Sequence, residues 1–192
     1  MNKKTLAIGG IILLIVAWVA VTFNSLVKKD EKVKLQWNEV QNAYQRRMSL
    51  IPNLVNIVKG QADFEQSTLE KIAEARAKVT SVNVENISAV NYNQQQAAQG
   101  ELADAANRLV IAIEKYPSLK GTDAFRGLQV QLEGTERRIK VARKDFNAAI
   151  ENYNSSVRGF PVKLVAGIFG FPPKEGFQSD AGAEKPVEIK FN

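Results

Sequence analysis

From Thr5 to Val27 the chain carries no charge, while Lys3 and Lys4 precede this run and Lys28, Lys29 and Lys32 follow it. At about 1.5 Å of rise per residue, an α-helix of that length reaches roughly 34 Å, enough to cross a hydrocarbon core of about 30 Å. Leu6, Ile8, Ile11 to Val16, Val19, Val21 and Phe23 leave no polar side chain to satisfy in lipid before Thr22 and Asn24. The remainder is therefore read as one domain tethered by its N-terminus to a membrane. A cleaved leader has a shorter apolar centre and a small-residue cleavage site, which Ala20-Val21-Thr22 followed by Phe23 does not supply. A lipid-modified N-terminus needs a cysteine, and the chain has none. Lys28, Lys29, Lys32 and Lys34 outnumber Lys3, Lys4 and the α-amine by one charge, which leans the domain towards the cytoplasm.

About 165 residues follow the apolar run, enough for a single domain with a true core. The net charge is +6, with acids and bases interspersed rather than gathered into a stripe. That pattern describes a solvated surface and excludes nucleic acid as the expected partner. The densest cluster, Arg137, Arg138, Lys140, Arg143 and Lys144, also holds Glu133, Glu136 and Asp145. It reads first as a helix surface and second as a contact for anionic lipid headgroups. The absence of histidine and cysteine removes Ser-His-Asp and Cys-His nucleophiles, thiolate or imidazole metal sites and disulfides. No glycine-rich phosphate loop is present. Only lysines and carboxylates are left for catalysis, so the expectation is no enzyme, no cofactor and no metal.

Helical periodicity dominates the rest. Val33, Trp37, Val40, Tyr44, Arg47 and Ile51 step by four and three, apolar except at Arg47. No glycine or proline separates them from the apolar run, so one helix is expected to leave the bilayer unbroken. Pro52 arrives without loop residues, and Leu54, Val58, Leu69, Ile72 and Val79 resume the stripe, so it predicts a kink rather than a reversal. Gly60 is expected to loosen the helix. Thr80 to Asn91 lacks periodicity and reads as a connection, and Asn91 to Gln99 as the poorly packed start of the next helix. Leu102, Ala105, Leu109, Ile113 and Tyr116 carry that helix to Pro117. Thr122 is a good N-cap, with Asp123 at the positive end of the dipole.

Then Phe125, Leu128, Leu132, Thr135, Ile139, Ala142, Phe146, Ala149 and Tyr153 alternate threes and fours over four heptads. Such a stripe seeks a continuous apolar partner, and the earlier helices offer one within the chain. Phe160-Pro161 ends this helix. Val162 to Phe171 is apolar but too short to span; it is left to cap the bundle, lie on the membrane or join copies. Val187 to Phe191 alternates like a strand and is expected to be disordered or to pair with a partner. The predicted fold is all-α: a transmembrane helix continuing into an antiparallel bundle of three to four long helices, with an irregular C-terminal tail. The expected boundaries are 1–27 for the anchor, 28–158 for the bundle, 159–177 for an apolar loop or short helix and 178–192 for the tail.

Arg47 sits where the stripe would bury it, beside Arg46, and a guanidinium there needs a carboxylate or several carbonyls. Glu39, Asp63, Glu65, Glu70 and Glu74 are the candidates, for an ion pair between helices or, more sharply, for a site that takes an anionic partner. Asn53 and Asn56 follow Pro52, and Asn147 and Asn154 bracket Tyr153; their repetition suggests hydrogen bonds between helices. The run Tyr44-x-Arg46-Arg47-x-x-Leu50-Ile51-Pro52-Asn53-Leu54-Val55, then Val58-Lys59-Gly60 and Glu65, resembles the signature of the LemA family. Ala75-Arg76, Ala142-Arg143-x-x-Phe146-Asn147, Tyr153-Asn154, Phe160-Pro161 and Phe169-Gly170-Phe171 extend the resemblance almost to Phe177. Phe146 departs from a tyrosine common in that family.

The resemblance implies a bacterial single-pass membrane protein with a helical-bundle domain, and brings no catalytic residues. The residues expected to make structural or partner contacts are Arg46, Arg47, Pro52, Asn53, Arg143, Asn147, Tyr153, Asn154, Phe169 and Phe171. The function expected is a non-enzymatic, membrane-anchored scaffold or adaptor that self-associates at the bilayer; the partners expected are the lipid bilayer, copies of itself and a membrane protein. The alternatives are a membrane-remodelling or lipid-surface-binding protein and, further off, an enzyme or regulator of membrane proteolysis.

Overall fold

The computed structural model describes residues 3–59, 65–82 and 89–177. Six helices occupy them: α1 (Lys3–Val58), α2 (Gln66–Ser81), α3 (Ala89–Ile113), α4 (Pro117–Lys120), α5 (Asp123–Arg158) and α6 (Val162–Ile168). No strand occurs among the described residues, so the all-α expectation holds. The readings for Gly60, for Asp63 and for the strand at 187–191 lie outside the described residues.

α1 is the spine. Its 56 residues rise about 84 Å and pass through Pro52 without reversal. The first part is able to cross a membrane by length and composition. Its side chains from Leu6 to Trp18 stand exposed. Burial begins at Thr22 and Leu26, and the stripe Val33, Trp37, Val40, Tyr44, Arg47, Ile51 then faces inward as its spacing requires.

α5 covers that stripe from the opposite direction. Along the pair Lys29 meets Ser156, Trp37 meets Phe146 and Arg47 meets Glu136, which is the order of antiparallel neighbours. Thr122 caps α5 as expected, its Oγ1 accepting from Phe125 N at 3.2 Å, with Asp123 in the first turn and Arg158 in the last. Phe125, Thr135, Ile139, Phe146, Ile150, Tyr153 and Val157 are buried on its inner face. The heptad stripe thus finds its partner within the chain.

α3 lies alongside α1 in the same direction, with Tyr92 on Trp37 and Gln99 on Arg47. α2 is only 16 residues, a length at which a helix is marginal in water without tertiary contacts. Its Ile72, Ala75 and Val79 pack with Ala98, Leu102 and Ala105 of α3 and with Ile51, Leu54 and Val58 of α1. Each large apolar side chain buried there stabilises by about 1.5–3 kcal/mol, which is what holds so short a helix. A second cluster, nearer the apolar segment, joins Leu26, Val33, Trp37, Tyr92, Phe146, Ile150, Val157 and Ala166.

Three sequence expectations change. The stripe expected to resume from Leu54 to Val79 is divided, since α1 ends at Val58 and Leu69, Ile72 and Val79 belong to the separate α2. The connection expected at Thr80–Asn91 is shorter, since α2 continues to Ser81 and α3 begins at Ala89. Thr80 Oγ1 and Ser81 Oγ donate back to carbonyls one turn earlier, satisfying the last turn of α2 with the polar residues that looked loop-like. Nor is Asn91–Gln99 poorly packed: Tyr92, Gln95, Ala98 and Gln99 are all buried. An amide-rich face reads as solvated only while its partner is unknown.

After Arg158 the chain folds back as α6, whose Val165 and Ala166 are buried. Gly170 adopts φ 73°, a left-handed conformation that favours glycine, and lets Phe171 N reach back to Ala166 O at 2.9 Å. Residues 171–177 then run without regular structure along α5. We call this segment the strap.

Candidate functional site

Four aromatic rings from four parts of the chain meet where the strap ends. Trp37 (α1), Tyr92 (α3), Phe146 (α5) and Phe177 (strap) contact one another pairwise, with centroids 5.3 to 6.1 Å apart and mostly edge-on. Such pairs add about 0.5–1.5 kcal/mol each beyond simple burial. Phe146 is wholly buried among them, so the missing hydroxyl at this position leaves nothing unsatisfied. The Arg143 guanidinium sits 4.8 Å above the Phe177 ring.

The asparagines explain how the strap is held. Asn147 donates to Phe177 O at 3.1 Å and accepts from Phe177 N at 2.8 Å. Asn154 does the same for Lys174, at 2.6 and 2.8 Å. A side-chain amide carries one donor and one acceptor face, so it can pair with a backbone as a neighbouring strand would. Tyr153 donates to Pro172 O at 3.0 Å, and Tyr92 donates to Glu175 O. These bonds correct the expectation of hydrogen bonding between helices. An extended segment has backbone groups to spare, whereas a helix has used its own.

Lys174 continues the latch. Its ammonium lies 2.9 Å from Asp30 and 5.3 Å from the Tyr153 ring. Burial pushes the Asp30 carboxyl up, but hydrogen bonds and charge from Lys174 and Lys34 outweigh it and hold Asp30 below its ordinary 3.8. Burial, with a smaller push from Glu175, raises the Tyr92 phenol to about 12. Burial and the nearby Asp30 also raise Tyr153.

Beyond the strap, a groove of about 1150 Å³ opens between α3 and α5, with α1 beneath. Arg47 lines it at 4% exposure. Its Nη1 donates to Gln99 O at 2.9 Å and Gln99 Oε1 at 3.1 Å, and its Nη2 to Glu136. The carboxylate partner is thus on α5, not among Glu39, Glu65, Glu70 or Glu74, because this face of α1 turns to α3 and α5 rather than α2. Arg47 Nε and Gln99 Nε2 are buried donors with no partner among the described residues. Arg137, Lys140, Arg143 and Lys144 line the same groove, against Asp104 and Glu136. Burial raises the Tyr44 phenol, although Arg143 and Arg47 pull it down. A wall on which cations outnumber acids is suited to an acidic group.

The predicted contact residues therefore divide. Arg47, Arg143 and Asn147 come together at the groove, beside the box formed by the four aromatic rings, and Tyr153 and Asn154 join them through the strap. Arg46 is exposed and lines a separate groove with Arg137 and Arg138. Pro52 and Asn53 lie further along α1, Asn53 exposed. Phe169 and Phe171 stand at the other end, edge-on to Phe23. Sequence reasoning missed Tyr92, Gln99, Glu136 and Phe177 as participants; for Tyr92, Gln99 and Phe177 the signal was an aromatic or amide inside a stretch that looked loose, whereas Glu136 carried none.

Fold and site together define a helical-bundle domain grown directly from an apolar N-terminal helix and closed by a latched C-terminal strap. The LemA family model matches residues 36–191, and the chain belongs to the LemA family. It is similar to magnetosome protein MamQ 2 of Paramagnetospirillum magneticum, 25% identical over 92% of this chain and 73% of that protein. Magnetosome protein MamQ of Magnetospirillum gryphiswaldense is 24% identical over 86% of this chain and 68% of its own. Protein LemA of Metamycoplasma hominis is 23% identical over 74% of this chain and 63% of its own.

Proposed function

We propose that the chain is a non-enzymatic, single-pass scaffold or adaptor of a bacterial cell membrane, which presents its domain at the bilayer and associates with copies of itself. The observation that carries this reading is the continuity of α1: one helix serves as both membrane segment and spine of the domain. A domain built on its own anchor stays joined to the bilayer through one unbroken element, as a platform must. Tethering also confines copies to a surface and raises their effective concentration, so modest contacts suffice. The apolar stripes of α1 and α5 face each other, which leaves the cationic groove as the contact surface, suited to an acidic segment of another copy or of a membrane-protein partner. The lack of histidine and cysteine, the side chains most used in proton transfer and nucleophilic attack, supports a binding role over catalysis.

Static light scattering of the detergent-extracted chain tests self-association. A mass of two or more copies is expected, reduced by reversing Lys140 and Lys144 to glutamate, and a strict monomer at all concentrations sinks that part. Lys115→Cys in this cysteine-free chain, probed with an impermeant thiol reagent, tests whether the domain lies on the cytoplasmic side, as the lysine margin suggests.

A further inference from the structure

The underside of the domain is apolar where it adjoins the membrane segment. Leu26 is fully buried in one cluster with Val157 and Ala166, and Thr22 is buried too, although the apolar run before them is open. Phe169 and Phe171 stand edge-on to Phe23, with centroids at 5.0 and 5.7 Å. Phe23 precedes Lys28 by about 7.5 Å of helix rise, so those rings sit below the first cations of the segment's end. In a chain whose run from Thr5 to Val27 spans a bilayer, that depth is the outer layer of hydrocarbon.

The side of α6 turned away from the bundle matches this depth. Val165 and Ala166 are buried, whereas Leu164 and Ile168, four residues apart on the other face, are 60% and 79% exposed. Phe160, entering α6, is 86% exposed and Phe169 48%. Single exposed apolar residues are ordinary; two on α6 and two at its flanks, beside a membrane segment, form a patch that calls for a partner. Arg158 and Lys163 are exposed alongside, with Lys28 at the neighbouring turn of α1. Their stems can lie along apolar surface while their charges reach headgroups.

We infer that α6 and the Phe169–Phe171 turn are a second membrane contact, lying at the headgroup–acyl boundary with Phe160, Leu164 and Ile168 in lipid. The inference rests on the membrane-spanning reading of α1. The bilayer is the occupant, rather than a second copy, because the patch is continuous with the spanning surface, lies at its depth and is edged by cations. One helix alone leaves a domain free to spin about the membrane normal and to tilt. A second contact to one side of α1 limits the tilt and holds the groove at a set height above the headgroups.

The test uses the full chain in vesicles of mixed zwitterionic and anionic lipid. Single cysteines at Ile11, Asn152, Phe160, Leu164 and Ile168 are spin-labelled, and accessibility is read with oxygen, which partitions into lipid, and a water-soluble nickel chelate. The oxygen-to-nickel ratio at Leu164 and Ile168 is expected to lie several-fold above that at Asn152 and to approach that at Ile11. Adding Leu164→Glu should lower the ratio at Ile168 several-fold, with helical content by circular dichroism unchanged. Ratios at Leu164 and Ile168 equal to that at Asn152, while Ile11 remains in lipid, overturn the inference and leave the anchor standing. A water-like ratio at Ile11 overturns the anchor and the inference with it. Spin–spin broadening at Ile168 that disappears on dilution with unlabelled chain assigns the patch to another copy and also overturns it.

Discussion

Arg47 brings a guanidinium into a face whose spacing calls for an apolar side chain, and three acceptors make that tolerable: two oxygens of Gln99 and the carboxylate of Glu136. The arrangement depends on the planar fork, which reaches several acceptors at once as a lysine ammonium cannot. Arg47→Lys is therefore expected to cost about 1–3 kcal/mol by leaving buried oxygens of Gln99 unpaired. Glu136→Gln should cost about 1 kcal/mol, because water reaches that half-exposed carboxylate. Urea unfolding of the two variants in detergent, followed by circular dichroism, ranks these losses, and a larger loss in Glu136→Gln than in Arg47→Lys would contradict the assignment. Asp30 gives the pH dependence. Its folded value lies below 3.8, so its contribution is present above 3.8 and is lost as pH falls through the folded value. Thermal melts between about pH 5 and 2 should lose part of their acid sensitivity in Asp30→Asn. That Arg47 needed partners was legible from its place in a stripe. Which residues answered was not, since Gln99 and Glu136 are remote in sequence and look like ordinary surface residues.

At the scale of elements, α5 was the most legible and the strap the least. A heptad alternation over four heptads is a local property, and so is a threonine cap; both can be read before any neighbour is known. The strap has no period, and its conformation is set by the side chains of Asn147, Asn154, Tyr153 and Tyr92. Gly176 is the tightest point. A Cβ there would lie 2.6 Å from Asn147 Oδ1, an atom already engaged by Phe177 N and so unable to swing away without losing that bond. Gly176→Ala is expected to cost about 1–3 kcal/mol through overpacking. Amide exchange at residues 174–177 should rise in that variant, and in Asn147→Ala, well before exchange in α5 does. Unchanged protection in both would mean that the strap is held by its aromatic residue alone.

For the whole molecule, the aromatic box is the closure. It takes one ring from each of α1, α3, α5 and the strap, so the strap is part of the core. Phe177→Ala should destabilise the chain by about 3–5 kcal/mol. In a Trp18→Phe background, the emission of Trp37 should shift to the red, and an unshifted spectrum would place Phe177 outside the core. Local pattern by itself determined the apolar membrane-length segment, the helical class, the cap and stripe of α5 and the absence of histidine and cysteine chemistry. These follow from residue spacing and side-chain type, which need no knowledge of neighbours. Only tertiary structure decided that the amide-rich start of α3 is buried, that asparagines latch a strap and that Glu136 answers Arg47. It also decided that α6 lies beside the end of the apolar segment. Each of these depends on distances between residues far apart in the chain, and a polar side chain turns inward only when the fold delivers its hydrogen-bond partner.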